Sequence, residues 1–137
     1  MKKTLICISI TLFFLLFHSC IKSENMSKRI VGGWKMDKYM VGLEDSTQTF
    51  HNRYKNYIIS FFEDYSYTES YVDSTDNLQG NVGQFSISLK GDSLFLLSGN
   101  ILNSYQLLNL NSNALNIKKV VNNGSQENTY LYKFVRK

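Results

Sequence analysis

Residues 82–135 read VGQFSISLKGDSLFLLSGNILNSYQLLNLNSNALNIKKVVNNGSQENTYLYKFV, and this stretch decides the fold. Apolar and polar residues alternate over Val82–Leu89, Ser93–Leu97, Asn103–Leu110, Leu115–Val121 and Thr129–Val135. Alternation with period two is the pattern of a strand with one buried face. Between the runs stand Lys90-Gly91-Asp92, Ser98-Gly99-Asn100, Asn111-Ser112-Asn113 and Asn122-Asn123-Gly124-Ser125. Gly, Asn and Ser supply turn conformations at low cost. Strands separated by turns this short pair antiparallel with their neighbours, as a meander.

Upstream the pattern continues in three more runs, Ile30–Val41, Asn56–Phe62 and Ser66–Asp73. The first carries Ile30, Trp34, Met36 and Met40 on one parity, and Asp64-Tyr65 makes a tight turn between the other two. Gly42–Lys55 and Ser74–Asn81 are longer polar connections. Within the first of these, Leu43, Thr47, Phe50 and Tyr54 have roughly helical spacing, so Leu43–Tyr54 is either a short helix or a lid loop. The chain contains no Pro and is rich in Tyr and Phe, residues that suit pleated surfaces. The expectation is an all-β domain over residues 29–137: a single eight-stranded antiparallel up-and-down barrel, whose closure removes exposed edges. Residues 20–28, polar and without periodicity, predict a flexible tether.

The N-terminus has a different character. Met1-Lys2-Lys3 precedes an apolar run from Leu5 to Phe17, and His18-Ser19-Cys20 closes it. The run is shorter than the roughly 20 residues that a spanning helix needs, and its layout is secretory. Ending on a small residue and Cys, residues 1–19 resemble a bacterial lipoprotein signal peptide. Phe17 fits signals of the Bacteroidetes group and Ser19 fits the motif; His18 is unusual for it. The resemblance implies cleavage before Cys20 and acylation of Cys20, which holds the protein to a membrane of the bacterial cell envelope. Ile21 in place of Asp implies the outer membrane, and Glu24 as the single nearby acid favours the periplasmic side.

Cleavage would remove Cys7 along with Lys2 and Lys3. No intramolecular disulfide could then form, so an ordinary core must supply stability. Of 15 basic residues against 11 acids, those remaining are scattered, with one cluster, Arg136-Lys137, at the chain end. Nucleic-acid binding needs a basic patch or stripe, so no nucleic-acid partner is expected.

Gly33-Trp34 opens the first strand, Glu63-Asp64-Tyr65-Ser66-Tyr67 follows Phe61 at the first hairpin, and Gly83-Gln84-Phe85, Gly91-Asp92-Ser93-Leu94, Tyr105-Gln106-Leu107 and Tyr132-Lys133-Phe134 come in order. This succession resembles the lipocalin-like domains of small Bacteroidetes lipoproteins, across nearly all of residues 29–137. Tyr65 stands where those domains carry a turn Gly, so the turn either avoids positive φ or holds some strain. Phe85 stands where Trp is common.

The resemblance implies that Trp34 packs across the closed end of the barrel, with direct contact to ligand the lesser alternative. Tyr57, Phe61, Tyr67, Phe85, Tyr105, Tyr130 and Tyr132 share parity with Ile59, Ile87, Leu89, Leu107 and Phe134, the face expected to point inward. An eight-stranded barrel is just wide enough to be filled by side chains or to hold one small ligand. The reading favours a filled lower half with a pocket at the mouth. Trp34, Tyr57, Tyr67, Glu69, Phe85, Tyr105, Tyr130 and Tyr132 are the candidate lining residues. Glu69 falls on the inward parity of Tyr67 and Tyr71, where it would recognise a cationic or hydroxylated ligand, or else ends a strand in water.

His51 lacks a second His or a free Cys with which to hold a metal. The pairs Glu44-Asp45 and Glu63-Asp64 point to opposite faces if on strands, and no nucleophile–base arrangement stands out. The expectation is therefore a monomer that is not an enzyme and needs no cofactor. It binds a small apolar or amphipathic ligand at the barrel mouth. The alternative is a solid barrel acting on a protein partner through loops 42–55 and 74–81.

Overall fold

The computed structural model describes residues 24–124 and 126–137. Cys20 and the signal segment lie outside the described residues. Residues 24–30 form helix α1. There follow β1 (Gly32–Val41), β2 (Glu44–Asp45), α2 (Thr47–Arg53), β3 (Lys55–Phe61), β4 (Ser66–Val72), β5 (Leu78–Ile87), β6 (Ser93–Ser98), β7 (Ile101–Leu110), β8 (Ala114–Asn123) and β9 (Gln126–Arg136). Each of the eight long strands pairs antiparallel with the next, and β9 returns to pair with β1 from Trp34↔Arg136 to Val41↔Tyr130. The barrel is closed, as the turn spacing predicts. The two-residue β2 is an appendage on β1, with Met40 opposite Asp45.

Four expectations need correction. The first concerns the tether. Residues 24–28 are helical: Ser27 and Ile30 are buried and Met26 packs against the core. The apolar face of α1 is about one turn long, too short to register as periodicity, yet it closes one end of the barrel. The second concerns the first strand. The register shifts between Met36 and Lys38, and a bulge swaps the faces of every residue beyond it. Tyr39 therefore packs on the core in place of the expected Met40.

The third correction is at the β4–β5 connection, where β5 begins at Leu78 rather than Val82. Asp73 builds the short turn that remains. Its Oδ1 accepts from the backbone N–H of Thr75 (2.9 Å) and of Asn77 (3.0 Å), and from the Thr75 hydroxyl (2.7 Å). The Thr75 hydroxyl and then the Asn77 amide hold the Asp73 carboxyl down at about 2. The fourth is Leu89. It lies past the end of β5 and is 64% exposed, not inward.

The inward rows fill the end that α1 covers. Trp34, Phe61, Ile30, Ile59, Leu94 and Leu115 are fully buried. Trp34 donates its Nε1–H to the Ile30 carbonyl at 2.7 Å. The Arg136 guanidinium lies 4.0 Å from the centre of a Trp34 ring. Arg136 also donates to the carbonyls of Val31 (2.6 Å), Arg29 (3.1 Å) and Ser112 (3.1 Å). Half of what reads as an incidental basic chain end thus ties β9 to α1 and to the β7–β8 turn. Tyr65 has φ 63°. Of the two alternatives for that turn, the left-handed one holds, a conformation that costs a non-Gly residue about 1–2 kcal/mol.

Candidate functional site

The opposite end of the barrel is open. A cavity of about 530 Å³ lies there, inside the usual range for small-molecule sites. Its wall comes from β1 (Tyr39, Val41), β3 (Tyr57), β4 (Glu69, Tyr71), β7 (Tyr105) and β9 (Tyr132). α2 leans over one side and contributes Thr49, Phe50 and Arg53, with Tyr54 following it.

The aromatic wall is one continuous set. Phe50 packs at 4.9 Å from both Tyr39 and Tyr54, and at 5.4 Å edge-on to Tyr57. Tyr57 stacks on Tyr71 at 6.0 Å and 21°. Tyr105 meets Tyr132 edge to face at 5.9 Å. Such ring pairs are favourable beyond the area they bury, so the wall is built in advance of any ligand. The helix over the mouth explains the helical spacing of Phe50 and Tyr54.

Glu69 sits in the middle of β4, opposite Ile59 on one side and Asn81 on the other. It is partly buried rather than a solvated strand end. Its Oε1 accepts from the Tyr57 hydroxyl at 2.7 Å, and its Oε2 accepts from the Asn81 amide at 3.1 Å. Burial first, and then the Glu69 charge, push the Tyr57 hydroxyl well above its usual range. Burial raises Tyr105 and Tyr132 as well. All three phenols, neutral at physiological pH even at their ordinary value, are held further from ionisation.

Nearby on the inward face of β8, Lys119 donates to Asn103 Oδ1 at 2.7 Å and lies 5.7 Å from the Tyr105 ring centre. The Arg53 guanidinium lies 5.5 Å from the Tyr54 ring centre.

Of the candidate lining residues, the structure brings Tyr57, Glu69, Tyr105 and Tyr132 to this cavity. It places Trp34, Tyr67 and Phe85 in the filled half, where Phe85 meets Phe61 edge-on at 5.0 Å. Tyr130 stacks on Tyr39 at 6.4 Å and 17° and is not among the residues lining the cavity. Tyr39, Phe50, Tyr54, Tyr71 and Asn81 were not foreseen as lining. The bulge hides Tyr39 and the unexpected start of β5 hides Asn81, but Tyr71 was legible, two residues from Glu69 on the same parity. His51 faces a separate cavity of about 210 Å³ with Lys55 and Tyr57. Among the described residues no three His, Cys, Asp or Glu side chains converge.

No family model and no curated protein sequence matches the chain. Solved structures do. Lobster apocrustacyanin A1 superposes with a TM-score of 0.58 at 12% identity over 80% of this chain, which spans only 62% of that one. A lipocalin-like protein from Bacteroides uniformis superposes with a TM-score of 0.53 at 12% identity, over 80% of this chain and 99% of its own. Bovine odorant binding protein, in complex with a selenium-containing odorant, gives a TM-score of 0.51 at 11% identity, over 81% of this chain and 72% of its own. The fold is lipocalin-like.

Proposed function

We propose that the protein is a lipid-anchored component of the bacterial cell envelope that binds one small amphipathic molecule in the open end of its barrel. The observation that carries the reading is the preformed aromatic cavity of about 530 Å³. It lies beyond a half that is already filled, so the space is not a packing defect spread along the axis. A structural neighbour solved with an odorant lends the same fold a small-ligand precedent. Of the two polar connections that suggested a protein-interaction module, 42–55 is mostly β2 and α2, and 74–81 is a short turn on Asp73 that leads into β5.

Titration with the apolar fluorophore N-phenyl-1-naphthylamine tests the cavity. The protein is expected to saturate at one equivalent with a Kd in roughly the micromolar range. Val41→Trp, which adds bulk at the lining of the mouth, is expected to weaken binding by about tenfold or more, with an unchanged circular-dichroism spectrum. Non-saturable binding, or equal affinity in Val41→Trp, would sink the reading.

The anchor has its own test. Cells fed labelled palmitate are expected to label the wild-type chain and not Cys20→Ser, which should appear in the soluble fraction. Equal labelling of both would rule out Cys20 as the lipid site.

A further inference from the structure

We infer that the molecule taken by this cavity carries a cationic amine or ammonium group, held at the Glu69 carboxylate inside the ring of tyrosines. The inference rests on the ligand-binding reading above.

Glu69 is partly buried, and both its hydrogen-bond donors are neutral: the Tyr57 hydroxyl and the Asn81 amide. The ion pairs among the described residues are Lys28–Glu24, Lys38–Asp45 and Lys55–Asp76, and none includes Glu69. A carboxylate withdrawn from water needs compensating partners. Each of its oxygens offers about two acceptor sites, and one protein donor occupies each. Acceptor capacity and an unneutralised charge both face the cavity.

The rings around it suit the same ligand. Tyrosine faces attract cations within about 6 Å of their centres. The protein itself already uses these rings in that way, with Lys119 at Tyr105 and Arg53 at Tyr54. The phenols of Tyr57, Tyr105 and Tyr132 are neutral at physiological pH at their ordinary value and burial pushes them further up, so Glu69 is the acidic group that such a ligand meets.

Neither nearby cation forms an ion pair with Glu69: the Lys119 ammonium is turned to Asn103 Oδ1 and the Tyr105 ring, and Arg53 is exposed on α2, where water screens it. An anion entering the cavity would lie beside Glu69, and a neutral molecule would leave its charge uncompensated.

Three probes of nearly equal shape separate the cases: 2-phenylethylammonium, 2-phenylethanol and 3-phenylpropanoate, each titrated calorimetrically into the purified full-length protein. The cation is expected to bind at least about tenfold tighter than the alcohol, with the carboxylate weakest, as charge-assisted bonds outrank neutral ones. Glu69→Gln should bring cation and alcohol to within about twofold. Should that variant fold poorly, Asn81→Lys at an exposed position supplies a competing ammonium and is expected to erase the preference as well. Alcohol binding equal to or tighter than cation binding in the wild type would overturn the inference while leaving the cavity reading intact. A preference that survives in folded Glu69→Gln would overturn the role of Glu69. Failure of all three probes together with the naphthylamine would overturn both readings.

Discussion

Trp34→Ala is expected to lower the free energy of unfolding by about 3–5 kcal/mol, the usual range for truncating a buried aromatic. Three losses combine at this position. The indole is fully buried, so its removal forfeits its contacts and leaves a cavity at the closed end. The Ile30 carbonyl loses its 2.7 Å donor, and a buried acceptor left unpaired costs about 1–3 kcal/mol. Arg136 loses the ring it lies on at 4.0 Å, and with it the geometry that aims its donors at Val31, Arg29 and Ser112. A domain of this kind holds only about 5–15 kcal/mol in all. Urea unfolding should therefore show a large drop in midpoint with an unchanged slope. Trp34→Phe, which keeps a ring but no donor, should cost less. A loss under about 1 kcal/mol for Trp34→Ala would mean that the closed end is not assembled around this side chain.

Gly83→Val is expected to cost more than about 3 kcal/mol and to yield mostly aggregated protein, beyond ordinary overpacking because backbone is in the way. Gly83 lies on β5 directly opposite Tyr67 of β4. A Cβ here would meet the Leu97 carbonyl oxygen of β6 and, at 2.7 Å, Cε1 of the Tyr67 ring. The ring could turn aside; the carbonyl belongs to the backbone of the neighbouring strand and could move only if β5 and β6 separated. Each methyl that Val adds worsens the clash. Soluble yield and thermal midpoint would read the effect, and a folded variant within a few degrees of wild type would show that β5 and β6 can part at Gly83 without loss of the barrel.

Much of this was visible along the chain. Period-two alternation and Gly- or Asn-rich turns marked eight strands, because a strand's two faces must repeat every second residue and a short turn leaves no choice of neighbour. The same alternation put Tyr57, Glu69, Tyr105 and Tyr132 on the inward face. It failed where the backbone breaks its own period. The shift between Met36 and Lys38 handed the inward position from Met40 to Tyr39. The early start of β5 turned Asn81 from a loop residue into the partner of Glu69. Neither event leaves a mark in hydropathy, since bulges and strand ends are set by pairing with the next strand.

The depth of a residue along the barrel was likewise invisible. Tyr67 and Tyr105 follow the same alternation, yet Tyr67 is core and Tyr105 lines the cavity. The sequence by itself determined the meander and the inward face, since each rests on local pattern. The tertiary structure alone decided that α1 and Arg136 seal one end, that α2 stands at the other, and that a carboxylate in none of the ion pairs among the described residues lines the cavity, because these depend on closure, which brings residues as far apart as Val31 and Arg136 within 2.6 Å.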